Sequence, residues 1–300
     1  MDIDDYNVKE INNYSFLVDV IKFLKKGFKQ SDLFAYKYLD YLLTMNSDPN
    51  SDPFGYVLFK KNKLEGAMLT ALQGYYFKKN DKVLEKIKVI DMCCWYIHST
   101  SRVIPALFHA KKIVEFTQNS IITGHTFNEV GSNVFKRLGF KKMKAFLYRK
   151  FKPNAKKFLF LKTNHINETK IPHYDDYVFS KKKLNSQENI LNFSIKLRSH
   201  GYIFFSGVIQ KIKIKNINVE SFFILWASDY WNIYENFDNI HKFLFLNFGC
   251  ISLYFYCPDY LKDKIKITQN YCRNAPFMIK TDLDIDYLPP INSELSLGGF

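Results

Sequence analysis

Between residues 86 and 151 the hydrophobic period of the chain changes repeatedly, and this order of elements constrains the fold more than any other feature. "KIKVIDMCCWYIH" (86–98) is rich in β-branched and aromatic residues and reads as a strand, whereas "SRVIPALFHAKKIVEF" (101–116) sets Ile104, Leu107, Phe108 and Val114 at helical spacing. "SIITGHT" (120–126) is a short strand, a helix runs from about Asn128 to Leu138, and "AFLYRKF" (145–151) is a strand again. Gly139 marks the helix stop, because a residue without a β-carbon takes the left-handed conformation that closes a last turn. Phe140 is then the first buried residue beyond it, and the chain is expected to enter "AFLYRKF" beside the strand of His125.

The segments before this run fit the same plan. "YSFLVDVIKFLKK" places Phe16, Leu17, Val20, Ile21 and Leu24 on one helical face, and "SDLFAYKYLDYLLTM" opens a second helix with a Ser-Asp cap. After the turn cluster "NSDPNSDP", the stretch "FGYVLFKKNKLEGAMLTALQGYYF" alternates, turns at Lys61-Asn62-Lys63 and alternates again, as a β-hairpin does. Strands interleaved with helices in this order predict a mixed sheet with helices on its faces.

Past "KPNAKKF" a second pattern begins: a helix near "SQENILNFSIKLRSHG" (186–201), strands at "YIFFSGVIQKIKIKN" and "VESFFILWASD", a helix at "YWNIYENFDNIHKFLFLNFG" and a strand at "CISLYFYC". The strand–helix–strand from Val219 to Cys257 echoes that from Lys86 to Thr126 in length and order, which suggests a degenerate internal duplication. Two domains are expected, 1–153 and 154–300.

Charge and cysteines narrow the function classes. The net charge is +14, and residues 1–150 carry 24 Lys/Arg against 15 Asp/Glu where residues 151–300 carry 19 against 14. Residues 136–162 hold eleven Lys/Arg and no acid, a run that suits a solvated face, nucleic acid, an anionic surface or a phosphate-bearing ligand. The five Cys show no repeated C-x-x-C spacing, so neither a zinc ribbon nor a disulfide framework is indicated and no metal site is expected. The acidic start "MDIDDYNVKEI" argues against a signal peptide, and the chain reads as cytoplasmic. The longest uncharged run, 243–258, is shorter than the roughly 20 apolar residues of a spanning helix and is split at Asn247-Phe248-Gly249.

Taken in order, the strand ending "WYIHSTSR", the helix, the strand ending "GHTFN" and the segment "NEVGSNVFKRLGF" resemble the GNAT acyltransferase superfamily. There the strand reads V-h-P-x-y-R and the later segment N-x-x-A-x-x-L-Y-x-x-L-G-F. Here Ile97-His98-Ser99-Thr100-Ser101-Arg102 and Asn128-x-x-Gly131-x-x-Val134-Phe135-x-x-Leu138-Gly139-Phe140 stand in those registers without a gap. The resemblance covers about residues 1–153. It implies an α/β fold, a GNAT-like mixed sheet flanked by helices, followed by a smaller, degenerate GNAT-like half. Trp95-Tyr96-Ile97 beside an initial helical pair is similar, more narrowly, to bacterial enzymes that acylate amino sugars or related precursors of surface polysaccharides.

The activity implied is transfer of an acyl group from a thioester donor, acyl-CoA or an acyl carrier protein, to an amine such as an amino sugar. The donor is a substrate, so no permanently bound cofactor is expected. In such a fold the pantetheine arm pairs with the free edge at Tyr96, Ile97 and His98 as an added strand would. The pyrophosphate meets the helix N-terminus at Arg102, Val103 and Ile104, and Asn128 and Phe135 complete the donor side. His125 and Asp91, with His98 as a third, are the candidates for deprotonating the acceptor, which is expected between the halves. The sequence departs from the superfamily's Q/R-x-x-G-x-G/A loop at Pro105, which has no N–H, and at Leu107. It departs again at Phe135, where many members place a Tyr that protonates the leaving thiolate; general-acid help is typically worth about 10²–10⁴-fold. A donor site weakened, displaced or given over to an acyl carrier protein follows, and the basic run suits an acidic carrier surface.

Two rivals accompany this reading. Loss of cofactor use would leave a non-catalytic GNAT-like binding protein. The basic run with Phe140, Phe146, Tyr148 and Phe151 interleaved also suits a nucleic-acid-binding module, although its alternation fits a strand with one buried face better than a base-stacking platform. Cys93 and Cys94 would serve a thiol relay only with a base placed to activate them, and they read as buried small residues of a central strand. Glu294 either faces an amine or is solvated.

Overall fold

Local chemistry places the first elements of the chain. The computed structural model describes residues 5–46, 53–80, 83–98, 104–125, 128–151, 163, 165–169, 178–179, 190–197, 201–214, 217–262, 264, 272–274, 277–283 and 285. Asn13 caps α1 (Tyr14–Phe28) by accepting from the Phe16 N–H, and the helix buries Leu17, Val20, Ile21 and Leu24 before Lys29 ends it in the left-handed region. α2 (Asp32–Met45) follows. β2 (Gly55–Lys60) and β3 (Lys63–Asn80) are joined at Lys61 and Asn62, both at positive φ, as a tight hairpin turn requires. Ahead of α1 lies β1 (Tyr6–Glu10), which the acidic composition of that stretch hides; it pairs antiparallel with β2 and buries Tyr6.

β4 (Val83–Ile97), α3 (Ile104–Phe116), β5 (Ile121–Gly124), α4 (Glu129–Arg137) and β6 (Lys141–Lys142) then follow the predicted order. The inward face of α3 differs from the expected one. Pro105, Ala106, His109, Ala110 and Ile113 are buried, Ile104 is exposed, and Leu107, Phe108 and Val114 are half-buried. His109 can point inward because both of its ring nitrogens find partners in the core. α4 closes as predicted: Gly139 has φ +86°, its N–H bonds to the Lys136 carbonyl, and the Phe140 N–H bonds to the Phe135 carbonyl. The rings of Phe135 and Phe140 meet edge to face at 4.8 Å, the hydrophobic contact that accompanies this stop.

β7 (Ala145–Phe151) does not run beside the strand of His125. It pairs antiparallel with β13 (Ser252–Pro258) from Ala145↔Pro258 to Phe151↔Ser252. The place beside β5 belongs to β15 (Met278–Lys280), with Met278 opposite Gly124 and Ile279 opposite Thr123. A return from β6 to the side of β5 would need a hairpin at Met143-Lys144, and neither residue favours the positive φ of such a turn. The chain runs on instead.

The first sheet has the order β1-β2-β3-β4-β5-β15-β6, with β9 (Val178–Phe179) against β3. The second has the order β14-β7-β13-β12-β11-β10-β8, from β8 (Ile166–Glu168), β10 (Ile190–Lys196), β11 (Tyr202–Ile214), β12 (Ile217–Ala227) and β14 (Cys272–Asn274). The first sheet thus receives β9 and β15 from the second half of the sequence, and the second sheet receives β7 from the first. The compact units are Met1–Lys142 with Asp175–Ser180 and Pro276–Asp284, and Met143–Tyr174 with Lys181–Ala275 and Ile285–Phe300. A boundary at 153/154 does not separate them, because the exchanged strands cross it.

In the second unit the described part of the helix expected at 186–201 holds a strand, β10 over Ile190–Lys196. Phe193 and Ile195 enter the core with Phe205, Phe222 and Phe255, while the Ser206 hydroxyl donates to Asn192 at 2.6 Å, an alternation that fits a strand with one buried face. The helix expected at 230–249 is two, α5 (Tyr230–Glu235) and α6 (Phe237–Phe248), meeting at Asn236. They connect β12 to β13, which pair in parallel from Ser221↔Ser252 to Ile224↔Phe255, just as α3 connects β4 to β5. The echo between the halves is therefore structural. Among the described residues no helix is long and apolar enough to cross a membrane.

Candidate functional site

β4 and β5 pair in parallel at Val89↔Ile121, Ile90↔Ile122 and Asp91↔Thr123, and there the ladder stops. β5 ends at Gly124 while β4 continues to Ile97. Against β3 the register slips: Leu69 faces Cys93 but Ala67 faces Tyr96, and Cys94 takes φ +50°. A bulge of this kind bends its strand and increases the local twist. β5 ends one residue past its last pairing with β4, so from Trp95 to Ile97 no described strand pairs with β4 on that side, which leaves a strand edge there.

The side chains on this stretch are divided between two faces. Trp95 lies edge to face with Phe135 at 5.2 Å, and its indole N–H donates to His109 Nδ1 at 3.4 Å. Tyr96 lies with the rings of Phe23 and Phe28, 5.5 and 5.4 Å away, over Gly27 of α1, where a Cβ would come within 2.6 Å of the tyrosine ring. Gly27 is therefore required by close approach. Ile97 is half-buried opposite Gly66, and His98 is exposed with its N–H on the Glu65 carbonyl at 2.8 Å. Arg102 and Val103 lie outside the described residues; Ile104 opens α3 at 48% exposure. Asn128 caps α4, its side-chain oxygen accepting from the Gly131 N–H at 2.8 Å. Phe135 is fully buried, so the position where the resemblance places a tyrosine acid is held here by a core ring.

Asp91 and His125 are brought together from two strands. The parallel pairing sets Asp91 opposite Thr123, and alternation returns His125 to the same face two residues later. His125 Nδ1 is 2.9 Å from Asp91 Oδ1, and the Thr123 hydroxyl donates to that same oxygen at 3.0 Å. Both side chains of the pair have 0% exposure. Asp91 Oδ2 and His125 Nε2 are buried without a hydrogen-bond partner among the described residues. A carboxylate only accepts, so the shared proton sits on His125 Nδ1, and in the neutral ring Nε2 then presents a lone pair. The ring of Phe277, delivered by the strand exchange, meets His125 edge to face at 4.8 Å.

His109 has the opposite electrostatic character. Burial pushes its imidazole down to about 3, against the backbone bond to Tyr56 at 3.2 Å. The unfolded chain, titrating near 6.5, binds a proton there that the folded state excludes. The stability this neutral histidine confers is complete above the unfolded value and falls as the pH drops toward the folded one. Urea titrations should show a loss of roughly 3 kcal/mol from this group between neutral pH and pH 4, and His109→Gln should flatten that slope. Parallel slopes for the two proteins would contradict the assignment.

Phe140 and Phe146 are core residues, and Tyr148 packs edge to face on Tyr234 and Phe237, so these rings of the basic run form no stacking platform. Lys136, Arg137, Lys141 and Lys142 are exposed; the side chain of Phe151, residues 152–162 and Glu294 lie outside the described residues. Cys93 is a buried strand residue whose thiol donates to the Leu69 carbonyl. Among the described residues no cluster of His, Cys, Asp and Glu could hold a metal. Two residues of the site escape sequence reading. Thr123 was legible in principle, two positions before His125 on one strand face, whereas nothing in the local sequence assigns Phe277 to this sheet.

No protein-family profile and no curated protein matches the sequence. Among solved structures, the chain is similar to a GCN5-related N-acetyltransferase from Anabaena variabilis, with TM-score 0.55 and 10% identity over 92% of this chain and 72% of that one. A GCN5-related N-acetyltransferase from Kribbella flavida gives TM-score 0.56 at 7% identity, over 91% and 72%. The N-myristoyltransferase of Saccharomyces cerevisiae with bound myristoyl-CoA gives TM-score 0.50 at 11% identity, over 100% and 90%. The chain has the fold of the GNAT acetyltransferases. Within it, the two sheets are tandem GNAT-like halves that exchange a strand.

Proposed function

We propose that this protein transfers an acyl group from a thioester donor, acyl-CoA or an acyl carrier protein, to an amine, with an amino sugar or related metabolite as the acceptor class. The observation that carries the reading is that β4 bulges at Cys94 and runs on to Ile97 beyond the end of β5, with no described strand beside it from Trp95 to Ile97 on that side. The edge from Trp95 to Ile97 offers backbone groups to a pantetheine arm as an added strand would. The start of α3, with Arg102 before it, offers unsatisfied N–H groups and positive charge to phosphates. That a structural neighbour holds myristoyl-CoA supports an acyl-CoA donor.

His125 is the general base of this reading: Asp91 holds its Nδ1 proton, and its Nε2, buried here, serves an acceptor ammonium once the packing around it opens. With Phe135 in the core, the thiolate leaves without a tyrosine acid, which a thiolate tolerates. Titration calorimetry should give saturable heat with CoA and acyl-CoA, weakened by Arg102→Ala. Absence of heat at millimolar ligand, together with no binding of an acyl carrier protein, overturns the reading.

A further inference from the structure

We infer that Thr123 is a positioning residue that sets the tautomer of His125 by holding the Asp91 carboxylate, an assignment that rests on reading His125 as the base. The argument is one of torsional freedom. A carboxylate turns easily about its last bond, because that torsion is broad and roughly two-fold. Asp91 is anchored through one oxygen only, Oδ1, by Thr123 and His125, and Oδ2 has no partner among the described residues. Phe277 holds the ring of His125 at 4.8 Å, but that contact bears on the ring and not on the carboxylate, which the Nδ1 bond alone leaves free to turn.

Thr123 supplies the fixed reference. It sits on a central strand at 0% exposure, paired directly across from Asp91, and its β-branched side chain has few χ1 choices. Its hydroxyl lies within 3.0 Å of Asp91 Oδ1 and 3.4 Å of the Ile90 carbonyl, and its single proton serves the shorter contact. With Oδ1 held, the Nδ1–H tautomer of His125 is the one that keeps a hydrogen bond, and Nε2 stays free as an acceptor. Loss of the hydroxyl lets the carboxylate swing and admits the other tautomer, whose lone pair sits on the wrong nitrogen.

The test is nitrogen NMR of the full chain labelled at histidine, with His125 assigned by His125→Gln. The wild type and Thr123→Ser should show a single His125 tautomer protonated at Nδ1. Thr123→Val, which keeps the shape and removes the hydroxyl, should show mixed or reversed tautomers. An unchanged tautomer in folded Thr123→Val overturns the inference. The wild type carries a second check that no failure of a variant to fold can remove: the shielded Thr123 hydroxyl proton should exchange slowly and give a cross-peak to the His125 Nδ1 proton, and its absence also overturns the inference. In an acyl-transfer assay, Thr123→Val should lower kcat about tenfold with donor KM unchanged, and Thr123→Ser should restore it. A tautomer that responds in a protein with no transferase activity upholds the positioning role and removes the acyl-transfer reading instead.

Discussion

Expressed alone, residues 1–153 should not form a cooperatively folded domain. The fragment loses β15, and with it Phe277, Met278 and Ile279, all buried in the first unit. Truncating one large buried apolar side chain typically costs about 2–5 kcal/mol. Three lost together are comparable with the roughly 5–15 kcal/mol that separates a folded domain from its unfolded chain. The fragment also keeps β7, whose buried Phe146 and Leu147 then have no β13 to pair with. A sheet edge and an apolar strand left open in this way promote aggregation. Co-expression with 154–300 should restore both strands to their slots and yield a soluble, cooperatively melting complex. A sharp melt and dispersed amide spectrum from 1–153 alone would show that β7 can fold back beside β5, and would remove the strand exchange as a requirement of the fold.

The end of α4 should be the most sensitive short stretch of the first unit. Phe140→Ala removes a ring that packs on Phe135 and belongs to the core cluster of Tyr56, Met92, Ile122 and Met278. The expected cost is about 3–5 kcal/mol. Gly139→Val places a β-branched residue at φ +86°, costing at least ~1 kcal/mol from the backbone. Its Cβ would also sit 3.2 Å from Lys280 Nζ, which donates to the Leu138 carbonyl at the helix end. Lys141→Ala and Lys142→Ala act on exposed side chains and should stay within about 0.5 kcal/mol of wild type. Thermal melts of the four variants test this ranking. Lysine variants as damaging as Phe140→Ala would show that the stretch is held by charge rather than by the helix stop.

Much of this architecture is legible in the sequence wherever the signal is local. Asn13 and Asn128 cap helices because an Asn side chain accepts from an N–H three residues on, and Gly139 and Gly249 end them because they take positive φ. The hairpin at Lys61-Asn62 and the alternation of β4 are visible for the same reason. Where a local signal competes with packing, the reading goes wrong. The stretch 186–201 has helix-forming residues, yet Phe193 and Ile195 are claimed by the core of the second sheet. The face of α3 is likewise set by partners for His109 on β2 and β4 that lie far away in sequence. Asp91 and His125 could be named as candidates one by one, but their 2.9 Å contact depends on which residues the parallel pairing sets opposite each other.

The sequence by itself determined the stops at Gly139 and Gly249 and the strand–helix–strand order of both halves, because each rests on residues within a turn or two of one another. Only the tertiary structure decided which strand lies beside β5. An antiparallel slot between β5 and β6 accepts any strand that offers backbone groups and an apolar face, and both β7 and β15 do so. The absence of turn chemistry at Met143-Lys144 carries β7 onward to β13, and β15 fills the place it leaves. That choice puts Phe277 against His125, a contact between residues 152 positions apart. Local periodicity cannot specify it, because backbone hydrogen bonding in a sheet does not depend on separation along the chain.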